Sequence, residues 1–192
     1  MNSIDCTKRK VEFIIARSDV PEDPAHAQNT LDWLLLLKPT ADNALVIAAF
    51  AHDIERAINS RKVLRANFPD YEAFKAAHAR NSAEIVKKIM HDCDVPQDIA
   101  GEVYRLISLH EVGGDPRSDL IKNADSVSFF EVNLPLYFER HGWEESVRRS
   151  IWGYRRLSPR MREVVRSFLF ENEQLNALVQ DTIKRADQSL KM

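Results

Sequence analysis

The residues best suited to chemistry are a histidine and an aspartate that stand side by side, His52 and Asp53, directly after an apolar run. The run, residues 44–51, contains no polar side chain, which on a helix indicates burial on every side. An imidazole and a carboxylate at the end of such a helix are costly to bury unless each finds a partner. A metal ion would serve both, because neutral histidine and ionised aspartate are good ligands. Taken alone, the doublet is far more typical of a core histidine beside a solvated carboxylate.

Four further metal-competent residues occupy inner positions on separate predicted helices: His26, His78, His110 and Asp125. Side chains that converge from separate helices are a common way to build a metal site inside a helical bundle. Four histidines and two aspartates suit one octahedral site or two metals that share a carboxylate. The two remaining histidines, His91 and His141, have polar surroundings and are predicted to be surface residues.

The elements that would position these residues are helices. Only 5 glycines occur, and runs that alternate β-branched and polar residues are few, which favours helix over sheet. The apolar pattern predicts helices over residues 3–17, 25–38, 41–58, 71–90, 98–112 and 118–132. Pro135, Gly142 and Pro159 divide the remainder into about three more. We predict one all-α domain, a helical bundle over residues 1–192.

Charge and composition limit the partners. The 27 basic and 29 acidic residues give a net charge of −2, so neither nucleic acid nor a membrane surface is an expected partner. The N-terminus lacks the apolar core of a signal peptide, and no apolar run is long enough to span a bilayer. Cys6 and Cys93 have no framework spacing, and we expect reduced thiols in a cytoplasmic protein.

The order His26, His52-Asp53 and Asp125 on consecutive helices resembles the signature of the HD superfamily of metal-dependent phosphohydrolases, over about residues 25–131. The additional His78 and His110 look like the bimetallic branches. Residues 107–114 and 120–125 are similar to the His-x-x-Gly and Ala-Asp patterns of the bacterial HD-type diadenosine tetraphosphate hydrolases. The Gly-Tyr-Pro tripeptide of the more remote HD-GYP phosphodiesterases is missing. An HD core over about residues 20–135, with C-terminal helices over about 136–190 packed on it, follows from this resemblance.

The resemblance implies a mono- or binuclear site with one or two divalent transition metal ions: iron, manganese, nickel, cobalt or zinc. His26, His52, Asp53 and Asp125 would hold the first metal; His78 and His110 would hold the second, with Asp53 bridging. Such metals activate water and neutralise a phosphoryl oxygen. The implied activity is that of a phosphatase, phosphodiesterase or nucleotide pyrophosphohydrolase. The implied substrate is a nucleotide or another small phosphate ester.

Asp53, Glu55 and Arg56 are the catalytic candidates, although the chain departs here from several monometallic members. Those carry an acid three residues after the aspartate of the doublet, where this sequence has Arg56, and Glu55 comes one residue earlier. Glu55 therefore does not simply inherit the role of activating water or donating a proton. Arg56 would either bind a substrate phosphate or interact with the helix dipole at an exposed helix end.

Arg117 and Lys122 follow His110 in sequence and are the substrate-binding candidates, either as a phosphate clamp or as solvated charges. The arginine-rich C-terminal third would form either a lid or amphipathic helices that pack the bundle and offer a homodimer face. Two alternative functions stay open. One is a mixed-valent di-iron oxygenase of the HD type, and the other is a non-catalytic metal-binding module.

Overall fold

The computed structural model describes residues 2–189, and within them every regular element is a helix. The nine α-helices of this part of the chain are α1 (Ser3–Ile15), α2 (Asp23–Leu37), α3 (Asn43–Ala51), α4 (Tyr71–His91), α5 (Gln97–Leu109), α6 (Pro116–Ser128), α7 (Leu134–Arg156), α8 (Pro159–Arg166) and α9 (Glu173–Ser189). None of them combines the length and apolar character needed to cross a membrane. The prediction of an all-α single domain is confirmed.

Aspartate caps begin three of the helices that carry the site. The side chain of Asp42 accepts a hydrogen bond from the Leu45 amide at 3.0 Å and starts α3. The side chain of Asp70 likewise accepts a hydrogen bond from a backbone amide and starts α4. Asp115 forms a capping box with Ser118 at the start of α6. These oxygens satisfy amides that have no partner inside the helix, so each helix begins at a defined residue.

The buried helix α3 is shorter than its apolar pattern predicts. It ends at Ala51 rather than near residue 58, and Asp53 leaves the helical conformation with φ −105° and ψ 14°. Three short 3₁₀ turns follow, Ile54–Ala57, Asn59–Arg61 and Arg65–Asn67. Adjacent residues on a continuous helix point in different directions. The break after His52 therefore lets the neighbouring side chains of His52 and Asp53 reach one centre.

The C-terminal third contains three helices, as predicted, but its proline and glycine act differently from the prediction. Pro135 lies in the first turn of α7, where its missing amide costs nothing, so it does not separate α7 from the π turn Phe129–Asn133. Gly142 kinks α7 with φ 71° and does not end it. Pro159 begins α8.

Two hydrophobic clusters form the interior. The first is built by α1–α6 and includes Leu34 and Leu106; the second is built mainly by α7–α9 and includes Phe130 and Leu178. The side chain of Trp33 packs against both clusters, and α6 contributes residues to both. The predicted boundary near residue 135 stays a prediction.

The expectation of reduced thiols was wrong. Cys6 and Cys93 form a disulfide that joins α1 to the segment after α4, with their Cα atoms 5.8 Å apart. The residues are 87 positions apart in sequence, so only the packing of α1 against α4 brings them together. The prediction of a cytoplasmic protein loses the support that it drew from free thiols and stays a prediction.

Candidate metal centre

His52 occupies the C-terminal end of α3 and is completely buried. Its Nδ1–H donates a hydrogen bond to the carbonyl oxygen of Ala49 at 2.9 Å, because a carbonyl can only accept. This bond fixes the ring with Nε2 directed into the interior. Holding the outer nitrogen in this way is the usual means of orienting a histidine that binds metal.

The first group of candidate ligands contains His26, His52 and Asp125, from three different elements. The two Nε2 atoms lie 3.2 Å apart, and Asp125 Oδ1 lies 3.3 Å from Nε2 of His26 and 3.4 Å from Nε2 of His52. The other nitrogen of His26, Nδ1, is 2.8 Å from Ser128 Oγ on α6. Two nitrogens and one carboxylate oxygen therefore face one point.

Asp53 lies between this group and the remaining histidines. Its Oδ1 is 2.7 Å from His78 Nε2, 3.6 Å from His52 Nε2 and 3.7 Å from His110 Nε2. Its Oδ2 is 3.9 Å from His26 Nε2. One carboxylate thus contacts or approaches all four imidazoles, which is the position a bridging ligand would occupy.

The second group of candidate ligands contains His78, His110 and Glu111, all buried. His110 Nδ1–H donates to the carbonyl oxygen of Ile107 at 2.7 Å, which turns its Nε2 inward to within 3.2 Å of Glu111 Oε1. The buried Nε2 of His110 has no hydrogen-bond partner in the described part of the chain. Such an orphaned nitrogen is costly unless a ligand or ion occupies the site.

Two cationic side chains, Lys75 and Arg156, neutralise the carboxylates of the second group and of Asp125. Glu111 pairs with Lys75 and, through Oε2, with Arg156 at 3.0 Å. The same guanidinium reaches Asp125 Oδ2 at 3.0 Å and donates to the His110 carbonyl at 2.9 Å. Burial tends to raise the pKa of the Glu111 carboxyl, but the charges of Lys75 and Arg156 hold it well below its usual range. Glu111 is therefore ionised and already neutralised by protein groups.

Arg56 compensates the other side of the cluster. Its guanidinium lies 3.0 Å from Asp53 Oδ2 and 2.8 Å from Asp23 Oδ1. Asp23 is buried at the start of α2, and it also accepts a hydrogen bond from Ser18. Arg56 is therefore not the solvent-exposed arginine at a helix end that was one of its two predicted roles.

The linked cluster contains more carboxylates than cationic side chains. Its five carboxylates are those of Asp23, Asp53, Glu55, Glu111 and Asp125, and its three cations are Arg56, Lys75 and Arg156. With all five ionised, five against three leaves two negative charges to balance in a buried region, and burial correspondingly raises the pKa of Asp23. Uncompensated buried charge is expensive, so the site requires either protonated histidines or a cation.

The histidine pKa values reflect this excess. Burial lowers the pKa of His52, but the charges of Asp53 and Asp125 outweigh burial and raise it to about 9. The pKa of His26 is lowered, chiefly by burial, and the positive charge of His52 lowers it further. A divalent cation would supply the two missing charges and accept the inward lone pairs. The residues present therefore fit a metal.

Glu55, a predicted catalytic residue, faces away from the centre. Its Oε1 is 2.7 Å from His78 Nδ1, while Oε2 accepts hydrogen bonds from the Val63 amide at 2.8 Å and from Asn81 Nδ2 at 3.1 Å. The carboxylate is therefore occupied in orienting His78 and in tying down residues 61–63. This geometry corresponds to a positioning residue rather than a group that meets substrate.

The structure does not bring the predicted substrate-binding pair to the centre. The Arg117 guanidinium pairs with Asp42 and Glu102, and the Lys122 ammonium pairs with Asp119 at 2.7 Å. Both form a partly exposed ion-pair network around the start of α6. Of the two readings of these residues, the geometry agrees with solvated charges.

Four residues of the cluster were not predicted from the sequence to belong to it: Glu111, Lys75, Arg156 and Asp23. Glu111 had a signal, because the pair His110-Glu111 repeats the pattern of His52-Asp53. Lys75 precedes His78 by one helical turn and so shares its helix face. Arg156 had no local signal, since it reaches the site only through the packing of α7 against α6.

A cavity of about 510 Å³ opens beside His78, Arg56 and Lys75. Its walls combine aromatic rings with basic side chains and three carboxylates, those of Asp19, Glu22 and Glu55. The aromatic lining residues are Tyr71, Phe74, Phe129 and Tyr137, and the basic ones are Arg56, Lys62, Lys75, Arg140, His141 and Arg149. Such a lining suits an anionic ligand that carries a ring.

Comparison with known proteins gives one match. Neither the comparison with curated proteins nor that with solved structures finds a significant similarity. Residues 1–179 match the model of a family described as a domain of unknown function, DUF4202. Because this match covers nearly the whole chain, the protein belongs to the DUF4202 family.

Proposed function

We propose that this protein is a metal-dependent phosphohydrolase of the HD type that acts on a nucleotide or another small phosphate ester. The observation that carries the proposal is the convergence of four inward-facing imidazole nitrogens and two aspartates beside a cavity with cationic walls. The order of these residues along the chain supports the HD resemblance. The charge deficit of the cluster supports a metal rather than a purely structural histidine core.

His26, His52, Asp53 and Asp125 would hold one divalent metal ion. His78 and His110 would hold a second ion, with Asp53 between the two and Glu111 within reach of His110. Divalent metal ions in such sites lower the pKa of water and neutralise charge on a phosphoryl oxygen. His-rich sites with carboxylates accept iron, manganese, cobalt, nickel or zinc.

The surrounding residues would keep this ligand set in place. Arg56 holds Oδ2 of Asp53, and Glu55 holds the outer nitrogen of His78. Arg156 holds Oδ2 of Asp125, which leaves Oδ1 directed toward His26 and His52. In-line attack on phosphorus depends mainly on positioning and charge stabilisation, and these contacts contribute positioning.

Metal content is the first test. Elemental analysis of the purified protein should find about two transition-metal equivalents, as expected of a two-metal site. His110→Ala should lose at least one of them. His91→Ala is the matched control, because the His91 side chain is 89% exposed and should not affect metal content. Only trace metal in the native protein, not restored by added metal, would contradict the proposal.

Activity is the second test, and it separates the alternatives. Phosphate release from a panel of phosphate esters under anaerobic conditions, lost in Asp53→Ala, would support a hydrolase and exclude the oxygenase. Turnover that requires dioxygen would support a di-iron oxygenase instead. Bound metal with no turnover on any substrate of the panel would favour a non-catalytic module.

A further inference from the structure

The arginine and lysine residues around the large cavity fall into two sets. Arg56 and Lys75 pair with carboxylates of the metal-binding cluster, and Arg140 pairs with the buried Glu22. Arg149 and Lys62 form the second set. Neither has a hydrogen bond or an ion pair to a carboxylate within residues 2–189. The cavity therefore presents two cationic groups that pair with no carboxylate among the described residues.

Arg149 is held in place although it has no anionic partner. Its guanidinium carbon lies 4.1 Å from the centre of the Phe129 ring and 4.9 Å from that of Trp152. These cation–π contacts fix the plane of the group. Its Nη1 atom is buried and has no acceptor in the described structure. A buried guanidinium donor without an acceptor is costly, and an anionic ligand would remove that cost.

The position of Arg149 sets it apart from the His/Asp cluster. It lies seven residues before Arg156 on α7, and the two guanidinium carbons lie 4.9 and 4.4 Å from the centre of the same Trp152 ring. Arg156 contacts Asp125 and Glu111 in the cluster, whereas Arg149 lines the cavity. A phosphate at the cluster and an anionic group at Arg149 would therefore be two different parts of one ligand.

We propose that Arg149, assisted by Lys62, binds a second anionic group of the substrate, distinct from the phosphate at the metal centre. The substrate is then a phosphate ester with two separated anionic groups and a ring that packs against the aromatic wall. The assignment of the first phosphate to the His/Asp cluster rests on the proposed function. The binding role of Arg149 rests on its own geometry.

The test compares two ligands that differ by one phosphate, adenosine 3′,5′-bisphosphate and adenosine 5′-monophosphate. Calorimetry on the full-length protein should show the bisphosphate binding about 10- to 100-fold more tightly, as expected for hydrogen bonds to a charged group. Arg149→Met should abolish this preference and leave monophosphate affinity within about twofold. Lys62→Met should reduce the preference by a smaller factor.

Arg148→Met is the matched control, because Arg148 is adjacent on α7, its side chain is 79% exposed, and it pairs with Glu145. It should keep the full preference for the bisphosphate. Thermal melting of each variant checks folding, and Arg149→Lys, which keeps the charge, should retain part of the preference. No preference in the native protein, or an equal loss for both ligands in Arg149→Met, would overturn the proposal.

The same titrations after treatment with EDTA separate this inference from the proposed function. A preference for the bisphosphate that persists without metal, and disappears in Arg149→Met, would support the Arg149 site even in a protein that hydrolyses nothing. Hydrolysis of phosphate esters together with equal affinity for the two ligands would support the function and overturn the Arg149 site.

Discussion

Two histidine–carboxylate doublets, His52-Asp53 and His110-Glu111, have nearly the same local structure and different surroundings. Each histidine lies at the C-terminal end of a helix, and each donates from Nδ1 to the carbonyl three residues earlier. Each therefore turns Nε2 inward. The shared geometry shows that a histidine at a helix C-terminus, donating to the carbonyl three residues earlier, directs its other ring nitrogen toward the centre.

The carboxylates that follow differ in what neutralises them. Asp53 faces several imidazoles and one cation, Arg56, which it shares with Asp23. Glu111 is held between Lys75 and Arg156. Burial opposes ionisation of both carboxyls, yet the pKa of Asp53 is held well below its usual range chiefly by His52 and His78, and that of Glu111 by Lys75 and Arg156. We infer that imidazoles neutralise Asp53 and would have to be replaced by a metal ion once they act as neutral ligands, whereas permanent cations neutralise Glu111. The first doublet should therefore carry most of the metal dependence and the second most of the structural stability.

Removing the Asp53 charge should have the largest effect. Because Asp53 lies between both groups of ligands, Asp53→Asn should lower metal affinity by more than about 100-fold, beyond the loss expected for an outer-shell contact. Glu111→Gln should lower metal affinity by much less. Elemental analysis and metal titration check the contrast, with the exposed Asp119→Asn as the control. Similar losses from the two doublets would contradict the distinction between them.

The free energy of unfolding should depend more on the charges around Glu111 than on those around Asp53. Arg156→Met leaves Glu111 and Asp125 buried with less compensation, so the free energy of unfolding should fall by about 3–5 kcal/mol. Urea unfolding measures the loss, and Arg148→Met should change stability by less than about 0.5 kcal/mol. Adding Glu111→Gln to Arg156→Met should recover part of the loss. A double variant less stable than the single one would refute a simple charge argument.

The orientation of His78 offers a finer test, because Glu55 holds the outer nitrogen of this ring and no comparable carboxylate holds His52. Glu55→Gln should weaken metal binding by about 10- to 100-fold with little change in fold, as for other outer-shell partners of metal-binding histidines. Asn81→Ala, which removes a neighbour of Glu55 without touching His78, should have a smaller effect. An unchanged metal affinity in Glu55→Gln would mean that packing alone orients His78.

The smallest effect concerns a carboxylate outside both doublets. Arg105 and Ser118 hold the pKa of Asp115 below its usual value, so the folded state favours the ionised form. Asp115→Ala should cost about 1 kcal/mol at neutral pH through loss of the α6 cap. Because the folded pKa is depressed, this contribution is present above about pH 4 and disappears as the pH falls further. Unfolding at several pH values checks the sign, and metal content should stay constant.

The fold class and the six histidine and aspartate candidates could be predicted from local patterns in the sequence. Helical periodicity, capping aspartates and prolines are local signals, so most helix ends agree with prediction within a few residues. The end of α3 was missed, because its apolar pattern continues past the point where Asp53 turns toward His78. A pattern of neighbouring residues carries no information about a turn that depends on contact with a distant side chain.

Which charged side chains pair with one another depends on how the helices pack. Lys75 and Glu111 are 36 positions apart, and Arg156 lies 45 positions beyond Glu111, yet the three form one buried group. The Cys6–Cys93 disulfide and the pairing of Arg117 with Asp42 also depend on helix packing. Electrostatic partners are chosen by distance in space, which a linear pattern does not encode. For this reason the candidate ligands could be predicted from the sequence, and the charged groups that neutralise them could not.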